Sequence, residues 1–263
     1  MGNRKAHRTA AAAVAGAALL AGVTACGTGN GGGGGGAATA SPGASTSTSP
    51  STSTHAATGP GTGSGGPAGP GVERLRALAL APGEKAGRYE AGEPVLDEPM
   101  SELYDTTPAA CRPVTSLGKA GHTAHAYTKT GVPGEWQAVE TEILLRSYKD
   151  GGAAAAMKSL AEAGRQCAGG YTEDRALAEA KVLKVEPAKA PALGDEALAF
   201  RIVVQDVKDE DVSLYKYLTV IRSGPVTLAF RSDAIDTEDF GGVPQEVVTA
   251  QWEKFTKGGG AAS

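Results

Sequence analysis

Between residues 135 and 148 the chain alternates. Val139, Thr141, Ile143, Leu145 and Ser147 fall on one side of an extended backbone, with Ala138, Glu140, Glu142, Leu144 and Arg146 on the other. A period of two with one mostly apolar side predicts a half-buried strand. The period then lengthens: Met157, Leu160, Gly164 and Cys167 recur at helical spacing in a run that carries Ala153 to Ala156 and stops at Gly169-Gly170. This predicts a helix with Asp150 as its N-terminal cap and Cys167 facing inward. Further strands are predicted at 180–186, 197–206, 213–222 and 226–231, joined by a charged turn at 207–212 and by the tight Ser223-Gly224-Pro225. Such short connections make neighbours antiparallel. Pro244 opens a last helix with Val248, Trp252 and Phe255 on one stripe. Residues 72–113 are broken by Pro82, Pro94, Pro99, Pro108 and Pro113 and are expected to be irregular, with Leu75, Leu78 and Leu80 giving one short turn of helix or strand against the core. With no βαβ alternation, the fold class is α+β, a central antiparallel sheet with helices packed on it.

Composition confines that domain to residues 72–263. Residues 27–71 hold 16 Gly, 8 Thr and 7 Ser, and no charged, aromatic or branched aliphatic residue. Such a segment has nothing to bury against the entropy of ordering and is expected to be a disordered tether. A coil of this kind spans about 35–40 Å. The Ser/Thr run at 45–54 is a compositional candidate for O-glycosylation. The single domain carries 22 basic against 29 acidic side chains, a net charge of −7, where the whole chain carries −4. An acidic domain is a poor partner for nucleic acid or for anionic lipid and wall polymer.

Residues 1–25 have the form of an export signal, with Arg4, Lys5 and Arg8 followed by an uncharged Ala/Leu/Val-rich run. The ending Val23-Thr24-Ala25-Cys26 resembles the bacterial lipobox, departing from its commonest form only in Val for Leu at the first position. That resemblance implies that Cys26 is acylated, becomes the mature N-terminus and anchors the chain at the extracytoplasmic face of the cell membrane. Two acyl chains satisfy the two-signal requirement for stable anchoring. Cys111 and Cys167 then remain in an oxidising compartment; an even remainder without Cys-x-x-Cys spacing predicts one disulfide.

Several residues have the type, but not the setting, of a reactive site. Ser116-Leu-Gly-Lys119 and Lys129-Thr130-Gly131 spell two signatures of penicillin-recognising serine enzymes, but they stand ten residues apart, and Ser232-Asp233-Ala234 follows both. His122 and His125 are the domain's two histidines; an i, i+3 pair chelates metal when helical, but Ala126-Tyr127-Thr128 is expected to be extended, putting the rings on opposite faces. No Gly-x-Ser-x-Gly elbow accompanies either. Asp206, Asp209, Glu210 and Asp211 lack the Gly and Glu of a calcium loop and are expected to form a solvated turn. Tyr215 and Tyr217 share a strand face, as sheet packing or as the wall of a ligand groove. No catalytic residue, metal ligand or cofactor is assigned, and ligand-binding residues stay unknown at this level.

A strand, then Lys149-Asp150-Gly151-Gly152-Ala153-Ala154-Ala155-Ala156 opening a helix that closes in Arg165-Gln166-Cys167, then Leu193-Gly194-Asp195-Glu196-Ala197 and Val220-Ile221-Arg222-Ser223-Gly224, is similar to exported actinobacterial domains of the PknH-type extracellular sensor family. The resemblance spans about residues 100–257. It implies an α+β domain with a central antiparallel sheet, a cleft, disulfides and a ligand-sensing role. The chain departs from the receptor-kinase version in having no kinase and no transmembrane helix, and only two cysteines for disulfides. The expectation is a surface lipoprotein whose non-catalytic domain binds a small molecule, a wall fragment or a protein. The alternatives are an accessory lipoprotein docking a membrane or cell-wall complex and, more remotely, a hydrolase using Ser116, Lys119 or a histidine.

Overall fold

A computed structural model describes residues 69–117, 121–176 and 178–260. Cys26, residues 27–68 of the tether and Lys119 lie outside the described residues. In chain order the elements are α1 (Val72–Leu78), β1 (Lys85–Ala86), β2 (Tyr89–Gly92), β3 (Asp105–Thr107), α2 (Arg112–Thr115), β4 (Ala124–Gly131), β5 (Glu140–Ser147), α3 (Gly152–Gln166), β6 (Tyr171–Arg175), β7 (Ala178–Pro187), β8 (Glu196–Gln205), β9 (Ser213–Ser223), β10 (Val226–Asp233) and α4 (Gln245–Lys257). The strands form one sheet in the order β1-β2-β4-β5-β10-β9-β8-β7-β6-β3, and every neighbouring pair is antiparallel. The α+β class and the four-strand run at the C-terminal end are as the alternation predicts.

The helices cover opposite faces of the two halves of the sheet. On one face α1 and α4 bury Leu75, Leu78, Val247, Val248 and Phe255 against Ile143, Leu145, Leu228 and Phe230. On the other, α2 and α3 bury Val114, Met157 and Leu160 against Phe200, Ile202, Leu218 and Val220. The predicted inward stripe of α3 is observed, and its glycine has a steric reason: a Cβ at Gly164 would lie 2.3 Å from Phe200 Cε1. The Cys111–Cys167 disulfide, with Cα atoms 5.8 Å apart, ties the end of α3 to the segment leading into α2.

Four local expectations are corrected. Strand β5 begins at Glu140 rather than 135 and is not half-buried, because Leu144 and Arg146 on its polar side are also covered. Asp150 does not cap α3: it takes left-handed backbone (φ 50°), followed by Gly151 (φ 77°), and no side-chain cap bond forms. The left-handed turn replaces the extended N-cap backbone that a side-chain cap requires. In α4 the core takes Val247, Val248, Gln251 and Phe255, with Trp252 only partly buried. The Gln251 amide earns its burial by donating to Leu78 O (2.8 Å) and accepting from Leu80 N–H (2.9 Å). Finally, residues 72–113 are less irregular than expected: besides α1, the short turn of helix expected at Leu75 and Leu78, they supply three short strands, because their apolar residues find partners distant in sequence.

Candidate functional site

Two places gather polar chemistry on the domain, one closed and one open. The closed place lies under α2. Arg146, on the second face of β5, pairs with Glu102 at 2.6 Å, and Ser116 Oγ donates to the same carboxylate oxygen. Beside it, Thr115 Oγ donates to Glu173 (2.9 Å) and lies 2.7 Å from the Tyr171 hydroxyl, while the Arg175 Nε–H donates to Glu173 at 3.0 Å. Arg231 donates to the Val114 and Thr115 carbonyls, fastening the α2 segment across the sheet. Burial pushes the Glu173 carboxyl up, but Lys216, Arg175 and Arg231 outweigh it and hold Glu173 below the ordinary carboxylate range. Burial also lowers the half-buried Lys216 ammonium, in spite of Asp233 and Glu173 nearby.

This cluster brings Ser116 to an acid, as a hydrolase requires, but not usefully. Its carboxylate is engaged by Arg146, Ser116 is 3% exposed, and the adjoining cavity is about 20 Å³, room for no more than a water molecule. Thr130 lies on the opposite face of the sheet, paired with Thr141, so the two serine-enzyme signatures do not converge. The pair Glu102–Arg146 was not visible in sequence; Arg146 reads there as a solvent-facing strand residue.

The open place runs along β4. That strand pairs with β5 from Ala124 to Thr130 but with β2 only at Lys129, Thr130 and Gly131. Alternate residues of an antiparallel strand direct both N–H and C=O to the same neighbour. Tyr148 N–H reaches Pro225 O on the β10 side, so Ser147, Leu145 and Ile143 turn toward β4, where Ala124, Ala126 and Thr128 meet them. His125, Tyr127, Lys129 and Gly131 therefore direct their backbone groups away from β5. Gly131 and Lys129 meet Glu90 and Gly92 of β2. Continuing that register places residue 94 opposite Tyr127, and residue 94 is proline, which has no N–H to donate. The chain leaves the sheet there, and no backbone hydrogen bond among the described residues reaches His125 or Tyr127 from that side.

Beside this bare edge lie two neighbouring lobes of about 560 and 550 Å³ that share Glu93, Pro94, Leu96 and Tyr127 as lining. One lobe is walled by Val72, Ala79 and Leu80, the other by Val95 and Met100. Val95 is 99% exposed, with Leu96 and Met100 about half exposed. Of the charged lining, Lys129 is paired with Glu140 (3.1 Å) and Arg76 with Glu73 (3.0 Å), while Glu90, Glu93 and Asp97 form no ion pair among the described residues. Tyr127 donates to Glu142 at 2.8 Å, and burial together with that carboxylate raises its hydroxyl above the usual range.

The remaining candidates resolve as follows. His122 and His125, expected on opposite faces, lie edge to face with centroids 5.4 Å apart, because only His125 belongs to the strand. Among the described residues no three His, Cys, Asp or Glu side chains are grouped to hold a metal ion. The acidic turn binds its own backbone, Asp206 accepting from the Lys208 and Asp209 amides at 2.7 and 3.1 Å. Tyr217 donates to Asp239 (2.6 Å) and packs on Phe240, and Arg201 lies over the Tyr215 ring, so these tyrosines are packed and bonded rather than arranged as a groove wall.

No family model matches the sequence, and no curated protein matches it. In structure the chain is similar to the extracellular domain of PknH from Mycobacterium tuberculosis, at 13% identity and a TM-score of 0.48 over 73% of this chain and 98% of that one. It is also similar to an uncharacterized protein of Mycobacterium smegmatis, the Rv0999 ortholog, at 11% identity and a TM-score of 0.31 over 66% and 88%. No helix among the described residues is long and apolar enough to cross a membrane.

Proposed function

We propose that this chain is a lipoprotein anchored through Cys26 at the extracytoplasmic face of the membrane, and that its domain binds a ligand without catalysis in the groove along β4. The observation that carries the binding part is the contrast between the two polar places. In the closed cluster one oxygen of Glu102 takes both Arg146 Nη2 and the Ser116 hydroxyl and all three residues are buried, whereas the β4 groove offers unpaired backbone, exposed apolar side chains and unpaired carboxylates together. Grooves of this size with a few convergent polar groups are where ligands bind. The anchoring part rests on Val23-Thr24-Ala25-Cys26 and on the charge-free tether that follows.

Membrane fractionation tests the anchor: Cys26→Ala should move the protein to the soluble fraction, and unchanged fractionation contradicts it. Amide-resolved hydrogen exchange tests the groove. A panel of wall muropeptides, short peptides and small organic ions should contain at least one member that slows exchange at His125 and Tyr127. Turnover of any panel member that is lost on a single substitution in the domain would overturn the non-catalytic assignment.

A further inference from the structure

We infer that the occupant of the β4 groove is an extended, basic polypeptide segment that adds to the sheet as a strand beside β4. The inference rests on the groove being the binding site and names its partner. His125 and Tyr127 present two N–H donors and two C=O acceptors to the groove, spaced as a strand presents them, and Pro94 keeps the chain's own β2 from using them. Free ladder groups of this kind are a template for a further strand, giving affinity through the backbone while flanking pockets choose side chains.

The register also sets the guest's pattern. Guest residues opposite His125 and Tyr127 share the second face of the sheet with those side chains, and the residue between them points to the first face. There it meets Ala79 and Leu80, members of the α1–α4 core, so an apolar side chain fits. The rim contributes Glu90, Glu93 and Asp97, none of them ion-paired among the described residues, while both cations of the lining are already engaged. Glu93 and Asp97 line the lobe that borders the bare edge, and Glu93 lines both lobes. A segment alternating basic and apolar residues matches both features; an acidic one meets unscreened like charge, which opposes a wrong partner.

The test uses the full chain and a capped peptide, Arg-Val-Arg-Val-Arg, with three comparators: its Glu-for-Arg analogue, a muropeptide, and the same peptide N-methylated at the amides that would face β4. In the free chain the His125 and Tyr127 amides should exchange fast while those of Ala126 and Thr128 are protected. The basic peptide should slow both fast amides. Its affinity should fall about tenfold on N-methylation, about tenfold in the exposed charge-reversal variant Glu93→Lys/Asp97→Lys, and further with added salt. A peptide that leaves the two amides fast, or whose affinity ignores both N-methylation and charge reversal, overturns strand addition. Protection of the same amides by the muropeptide alone overturns strand addition while the groove survives as a binding site; protection by no probe in the wider panel defeats the groove as well.

Discussion

The buried pair Glu102–Arg146 gives the sharpest test of how the domain is held together. Both side chains are almost wholly buried, and their contact of 2.6 Å ties the segment before α2 to the C-terminal end of β5. Arg146 depends heavily on that contact: its Nε and Nη1 have no hydrogen-bond partner, so Nη2 and Glu102 carry the compensation for a buried guanidinium. Removing one member of such a pair leaves the other charge uncompensated, at a cost of about 3–5 kcal/mol. Glu102→Leu also deprives Ser116 Oγ of this acceptor, a bond worth about 1.5–3 kcal/mol to a charged group and included in that range. With a urea m-value of about 2–3 kcal/mol/M, a loss near 4 kcal/mol lowers the midpoint by about 1.5–2 M, and the melting temperature by about 8–16 °C.

The double variant Glu102→Leu/Arg146→Met should behave quite differently. Taking away both charges removes the desolvation penalty along with the attraction, and well-packed apolar replacements of buried pairs are neutral or stabilising by about 1–4 kcal/mol. Urea titration by circular dichroism, with the disulfide intact, measures all four corners of the cycle. A Glu102→Leu midpoint within about 0.3 M of the parent, or a double variant as unstable as the sum of its singles, refutes the account of a mutually dependent buried pair.

Three further outcomes follow from the geometry. Gly164→Ala forces a methyl against Phe200 and should destabilise by about 1–3 kcal/mol through overpacking; Gly169→Ala, which meets nothing within 4 Å, is the control and should stay within about 0.5 kcal/mol. Reducing Cys111–Cys167 releases the chain from 111 to 167 and should lower stability by about 4 kcal/mol in the loop-entropy treatment, which fails if titration of the native protein finds two free thiols. Glu173 is held below its ordinary range by Lys216, Arg175 and Arg231 against the effect of burial. Its contribution is therefore complete above about pH 4.3 and is lost as pH falls through the folded value. Glu173→Gln should flatten the acid side of the stability profile, and an unchanged slope contradicts the assignment.

The contrast between the two places on β4 and β5 explains what could be seen in the sequence and what could not. Alternation exposes a strand, so β5, β7, β8, β9 and β10 were legible; the stripe of α3 was legible because Met157, Leu160, Gly164 and Cys167 recur at helical spacing. Alternation does not say what lies above the polar side. Arg146 is polar by type, yet Glu102, distant in the chain, covers it. The short strands β1, β2 and β3 have two to four residues each, too few for any period to register, and exist only because a longer neighbour pairs with them.

The β4 groove was hidden for the same reason, although its cause is a single residue in plain view. Pro94 looks like one loop proline among five in residues 72–113. Its meaning depends on register: only when β2 is paired with β4 does residue 94 fall opposite Tyr127, where a missing N–H ends the ladder. Replacing Pro94 should therefore do more than relax a loop. A Pro94→Val chain gains the donor that Tyr127 C=O lacks, can extend β2 along the bare edge, and should show slower exchange at Tyr127 without any added peptide, together with weaker binding of the basic peptide. Unchanged exchange at Tyr127 in that variant would mean that something other than the proline keeps the edge open, and the register argument for the groove would fall with it.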